Sequence, residues 1–70
     1  MIEIKINGKN ETVAPGTTVA DILQARDVRP EMVAVEVNGE LIPKNEYQKI
    51  EFAVGDQMEF LYYMAGGDLA

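Results

Sequence analysis

The side chains that most often do covalent or metal chemistry are missing from this chain: its 70 residues contain no histidine, no cysteine and no serine. Without imidazole or thiolate, the commonest general base and the softer metal ligands are gone. A serine nucleophile is excluded outright, and the threonines fall in a strand and at a helix cap. The glycines at 8, 16, 39, 55, 66 and 67 are spaced like turns and form neither G-x-G-x-x-G nor a phosphate-binding loop. Glu3, Glu11, Glu36, Glu40, Glu51 and Glu59 alternate with apolar residues along extended stretches, the pattern of a solvated outer face. Lys44 follows Pro43 in a loop, as a solvent-exposed charge or a partner contact. This chain is therefore expected not to be an enzyme by itself. What remains is its end, Met64-Ala65-Gly66-Gly67-Asp68-Leu69-Ala70, behind the aromatic stretch Phe60-Leu61-Tyr62-Tyr63. Gly66-Gly67 lacks any Cβ, so the chain is thin there and free in φ and ψ. A glycine pair also reads as a linker or turn. Set directly after a terminal strand, it reads as a bare thread able to enter a deep channel in another protein.

The rest of the chain must position that thread. Seventy residues make one domain, near the lower limit for a single core without disulfide or metal staples. A hydrophobic content of 47% with 26% charged residues is that of a globular chain. Twelve acids against six bases give a formal charge of −6, which argues against nucleic acid and anionic membrane and favours a partner with a basic face. Met1-Ile2-Glu3-Ile4-Lys5 alternates too strictly to be a signal peptide. The longest apolar run, 60–65, is too short to span a bilayer. The cytoplasm is the expected compartment.

Ile2, Ile4 and Ile6 alternate with Glu3, Lys5 and Asn7, the period of a half-buried strand. Asn7-Gly8 suits a type I′ hairpin turn, and residues 9–13 make the return strand. Ala14-Pro15-Gly16 breaks the pairing. Thr18 reads as a helix N-cap with Asp21 completing a shortened capping box; Val19, Ile22 and Leu23 form the apolar stripe. Arg26 suits the negative C-terminal end of the helix dipole. The helix must stop by Arg29, because Pro30 restricts its predecessor. Residues 32–37 form a strand with Val33, Val35 and Val37 on one face. Asn38-Gly39 turns it, and Glu40-Leu41-Ile42 returns briefly before Pro43. Residues 44–50 read as irregular or a short 3₁₀ turn anchored by Tyr47, residues 51–54 as a short extended piece, and Gly55-Asp56 as the turn into the final strand, 57–64. That strand carries Met58, Phe60, Tyr62 and Met64 on one face and Leu61, Tyr63 and Ala65 on the other. Apolar on both faces, it is expected at the sheet centre or half covered by a partner.

One helix across a small mixed sheet is an α+β fold of β-grasp topology, with the first and last strands parallel at the centre. The expected core is Ile4, Ile6, Val19, Ile22, Leu23, Val35 and Phe60. Residues 1–64 make the domain and 65–70 a flexible tail. Leu61 and Tyr63 read either as an exposed docking patch or as core or edge cover.

The run from Ala14-Pro15-Gly16-Thr17-Thr18-Val19 to Asp21-Ile22-Leu23, then Val33-Ala34-Val35-Glu36-Val37-Asn38-Gly39-Glu40-Leu41-Ile42-Pro43, Gly55-Asp56 and Ala65-Gly66-Gly67, resembles the thiamin-biosynthesis sulfur carriers of the ubiquitin-like superfamily. The resemblance covers residues 1–67. It implies a β-grasp domain whose last glycine, here Gly67, acts through its C-terminal carboxylate. An adenylyltransferase related to ubiquitin activators would use ATP to make the acyl-adenylate, with no cofactor bound by this chain. A sulfur-donor enzyme would convert it to a thiocarboxylate, and thiazole synthase would take the sulfur. Ala65, Gly66 and Gly67 would thread the activating channel, with Leu61, Tyr63 and Lys44 docking beside it. Asp68-Leu69-Ala70 departs from this pattern, since it locks the Gly67 carboxylate in a peptide bond. A protease removes it first, or it is foreign to the carrier, or it marks an inactive relative. Two further readings stand beside the thiamin carrier. One is the same chemistry serving molybdopterin, cysteine or methionine synthesis; the other is a β-grasp interaction module or protein modifier without sulfur chemistry.

Overall fold

Both Asn-Gly pairs bend the chain as the sequence demands. In this computed structural model, which describes residues 1–63, Asn7 and Gly8 have φ of 50° and 84°, and Asn38 and Gly39 have 54° and 82°. Two consecutive left-handed residues make the I′ turn whose twist matches antiparallel strands. The first turn joins β1 (Ile2–Ile6) to β2 (Lys9–Val13), and the second joins β3 (Val33–Val37) to β4 (Glu40–Ile42). β5 (Gln57–Tyr62) lies between the hairpins, giving the sheet order β2-β1-β5-β3-β4. β5 runs parallel to β1 and antiparallel to β3, the topology expected of a β-grasp.

The single helix α1 (Val19–Ala25) begins at Thr18, whose hydroxyl accepts from the Asp21 amide while the Asp21 carboxylate accepts from the Thr18 amide. The other exposed amides of its first turn are also satisfied. Val19 N–H donates to the Ile50 carbonyl and Ala20 N–H to the Tyr47 carbonyl, so residues 44–50 are fastened to the helix start. That segment contains one 3₁₀ turn, Lys44–Glu46, and Tyr47 is buried as its anchor. The helix ends at Ala25, ahead of Pro30. Arg26 caps it and directs its guanidinium to Glu11 on β2, while Asp27 takes a φ of 62°. A second 3₁₀ turn, Pro30–Met32, takes the place of the first residue expected in β3. Of the extended piece at 51–54, only an isolated bridge between Glu51 and Thr18 forms. Among the described residues no helix is long and apolar enough to cross a membrane.

The core lies between α1 and one face of the sheet. Ile4, Ile6, Val19, Ile22, Leu23 and Val35 are buried as expected, and Val28, Val33, Val37, Tyr47, Phe52 and Met58 join them. Phe60 is the exception: it is half-buried and packs at the core margin, and Met58 takes the central place on β5. A seven-residue helix spans about 10 Å, too short to cover the whole sheet, so the far end of β5 protrudes past it. β5 lies at the sheet centre, as its apolar residues on both faces led one to expect. Its central position comes from its two neighbouring strands, and the sheet face opposite the helix is open, leaving Leu61 72% exposed.

Candidate functional site

Since β5 leads directly into residue 64, any site for the diglycine must be built at its C-terminal end. The strand reaches that end held from both sides by asparagines. The Asn38 carboxamide oxygen accepts from the Gln57 amide at 2.9 Å, and the Asn7 carboxamide oxygen from the Phe60 amide at 2.9 Å. Each asparagine thus makes a hairpin turn and also supplies an acceptor to the central strand. Past the end of β5 the Tyr63 amide still donates to the Met32 carbonyl, at 3.0 Å.

The open face at this end is apolar with a charged margin. Leu61 faces outward beside half-buried Ala34, its register partner on β3. Leu41 on β4 is exposed on the same face. Ala34, Leu41, Pro43, Lys44, Tyr47 and Tyr63 line a shallow groove of about 270 Å³. Such a volume lies at or below the lower end of the range for small-molecule pockets. Burial, with a lesser contribution from neighbouring Tyr63, pushes the Tyr47 hydroxyl above the usual tyrosine pKa. Further along the face, Glu36 and Glu59 stand directly opposite each other in the register of β3 and β5. Arg29 lies outside the groove and pairs with Glu31, whose carboxyl is held below its ordinary value by its own backbone amide and then by Arg29.

Of the residues singled out from sequence, the structure brings Tyr63 and Lys44 into one groove and sets Leu61 on the adjoining face. Ala65, Gly66 and Gly67 lie outside the described residues, as do Asp68, Leu69 and Ala70. Leu41 was not anticipated as part of this surface. Its signal was present in the alternation of Leu41 with Ile42, but three residues are too few to tell an outward leucine from an inward one. Among the described residues, no three carboxylate, imidazole or thiol groups are placed to hold a metal ion.

Known proteins agree with this architecture. The crystal structure of the thiamine biosynthesis protein ThiS from Geobacter metallireducens superimposes with a TM-score of 0.77 at 36% identity, covering 94% of this chain and all of that one. The sulfur carrier protein ThiS of Bacillus subtilis is 31% identical over 65 residues, which is 91% of this chain and 98% of that protein. A thiazole synthase of Paramagnetospirillum magneticum is 32% identical over 66 residues. That match takes in 94% of this chain, which spans about a fifth of the synthase. The ThiS family model matches residues 4–67, so that the correspondence reaches all five strands and runs through Gly66-Gly67. On that match, and on the near-complete coverage of the Bacillus carrier, the chain belongs to the ThiS family.

Proposed function

We propose that this protein is a sulfur carrier for thiazole formation in thiamin biosynthesis, with the carboxylate of Gly67 as the group that is activated. The observation that carries this reading is the family match through residue 67, which aligns the diglycine as well as the fold. A carboxylate is a poor electrophile, because its negative charge repels nucleophiles and oxide is a poor leaving group. Transfer of AMP from ATP to the Gly67 carboxylate releases pyrophosphate and supplies a good leaving group. Sulfur supplied as hydrosulfide then attacks the acyl carbon, AMP departs with the bonding pair, and loss of the S–H proton leaves a thiocarboxylate. Both steps use the catalytic groups of partners, which accords with a chain lacking His, Cys and Ser. The protein itself contributes a terminus narrow enough to reach the activating site, and a surface that docks beside it. Leu61, Tyr63 and Lys44 form that surface, joined by Leu41.

The partners follow from the chemistry: an adenylyltransferase that consumes ATP, a sulfur-donor enzyme, and thiazole synthase as acceptor. The resemblance of this chain to part of two thiazole synthases favours thiazole over other sulfur acceptors. With residues 68–70 attached, Gly67 has no free carboxylate, and a protease that removes them is the further partner this reading calls for.

Mass spectrometry tests the reading. A form ending at Gly67 should be adenylated in the presence of ATP and the cognate adenylyltransferase, then exchange one oxygen for sulfur when the donor is added. The form ending at Ala70 should stay unmodified. In the shorter form, Gly67→Ala should cut activation by about a hundredfold, because a Cβ beside the reacting carbon displaces it in a channel sized for backbone. Absence of the sulfur exchange in the form ending at Gly67 would overturn the carrier reading in favour of an interaction module.

A further inference from the structure

β5 runs on past the end of β1, whose last residue, Ile6, stands opposite Met58, and the overhang leaves a short open edge towards the C-terminal end of β5. Residues along a strand alternate in the neighbour to which they turn their N–H and C=O groups. On β5 the odd residues serve β3: Asn38 N–H donates to the Gln57 carbonyl at 2.7 Å and Tyr63 N–H to the Met32 carbonyl at 3.0 Å. The even residues serve β1: Lys5 N–H donates to the Asp56 carbonyl and Asn7 N–H to the Met58 carbonyl, each at 2.9 Å. β1 stops at Ile6, where the chain turns away through Asn7-Gly8. The next even amide, that of Phe60, has lost its backbone partner and is taken by the Asn7 side chain. Beyond it nothing substitutes. Among the described residues, Phe60 and Tyr62 stand at register positions that turn their backbone groups away from β3, no bond from β1 or its turn reaches the Phe60 carbonyl or either backbone group of Tyr62, and Tyr62 is 62% exposed.

An unpaired edge of this kind is a template for another strand. We infer that Phe60 and Tyr62 pair through their backbones with an extended segment of the adenylyltransferase that receives the tail. The inference rests on the carrier reading above. That occupant is favoured because the open edge belongs to the strand from which the diglycine departs. Residue 65 follows Tyr62 by three residues, at most about 11 Å of extended chain, so a partner that encloses 65–67 lies within reach of this edge. Pairing there would fix the direction in which the thread leaves the domain before it enters the channel. A second copy of this chain fits the edge less well, since two or three backbone bonds would have to hold together molecules each carrying a charge of −6.

The Tyr62 amide is a specific reporter, because the fold does not use it. Amide hydrogen exchange is measured by NMR on the form ending at Gly67, which keeps every described residue, alone and with the adenylyltransferase and ATP. In the free protein the Tyr62 amide should exchange fast, and the Leu61 amide, paired to β3, slowly. In the complex Tyr62 should become at least tenfold slower. Tyr62→Pro removes the N–H at a position where the ladder does not need it, and Tyr62→Ala removes only the side chain. Tyr62→Pro should lower kcat/KM for adenylation about tenfold below Tyr62→Ala, the loss expected of one hydrogen bond. Equal exchange of Tyr62 in the free and bound states would overturn the proposal while leaving the carrier reading intact, provided adenylation proceeds. Protection that rises with the concentration of the chain alone would overturn it in favour of self-pairing. Failure of the wild-type form to be adenylated would remove the carrier reading, and this proposal with it.

Discussion

Tyr47 shows how one side chain ties the groove to stability. Its ring is buried while its carbonyl accepts from the Ala20 amide, so it fixes both the floor of the groove and the start of the helix. Burial first, and the proximity of Tyr63 second, raise its pKa above the ordinary value of 10.0. In the unfolded chain the phenol ionises near that ordinary value, whereas in the folded chain it stays protonated to higher pH. The folded state then holds more protons between the two values, so stability is undiminished below pH ~10 and falls as pH rises towards the folded pKa. Urea unfolding at a series of alkaline pH values should show this decline, and Tyr47→Phe should flatten it. An equally steep decline in Tyr47→Phe would place the responsible group elsewhere. Tyr63→Phe should shift the dependence less than Tyr47→Phe, since its contribution is the smaller one.

At the level of elements, α1 decides whether the sheet has a core at all. It is only seven residues long, and an isolated helix of that length is unstable in water. Its persistence depends on burial of Val19, Ile22 and Leu23 and on the full satisfaction of its first-turn amides. Replacing Ile22 with Ala removes buried methyl and methylene groups and leaves a cavity that so small a core closes poorly. The expected cost is about 2–5 kcal/mol, comparable with the whole stability of a domain this size. Thermal unfolding followed by circular dichroism should show a large drop in midpoint for Ile22→Ala. Thr18→Ala, which loses one half of the capping box, should cost about 1 kcal/mol and produce a smaller drop. The reverse order would mean that the cap, rather than the apolar stripe, holds the helix.

Taken as a whole molecule, the protein is an acidic body with an apolar end. Twelve acids against six bases give the charge of −6, and Glu36 and Glu59 face each other across β3 and β5. Opposed like charges destabilise a sheet slightly. A partner bringing a basic surface would relieve that repulsion and be drawn in over distances up to about a Debye length. Association with the adenylyltransferase should therefore slow as salt is added, with the dissociation rate changing much less. Stopped-flow measurement at low and high ionic strength checks this, and an association rate indifferent to salt would show that the apolar end alone drives docking.

The sequence by itself determined what depends on near neighbours. Asn7-Gly8 and Asn38-Gly39 force I′ turns because two successive left-handed residues are tolerated there. Thr18 and Asp21 cap a helix because they lie three residues apart, and alternating isoleucines and valines mark the strands. From these elements the β-grasp order could be assembled, along with a terminal strand bearing Leu61, although that strand ends at Tyr62 rather than at the expected residue 64. The missing His, Cys and Ser set the expectation that any catalytic groups belong to a partner. What depends on where elements end in space had to come from the tertiary structure. Phe60 and Met58 look equivalent in the alternating pattern, yet Met58 lies in the core and Phe60 at its margin, because α1 covers only part of β5. Leu41 and Tyr63 are far apart in sequence and meet on one groove only because β4 and β5 flank β3. The open edge at Tyr62 arises from the difference in reach between β1 and β5. No local pattern encodes that difference, since it depends on the register at which two strands far apart in the chain are brought together.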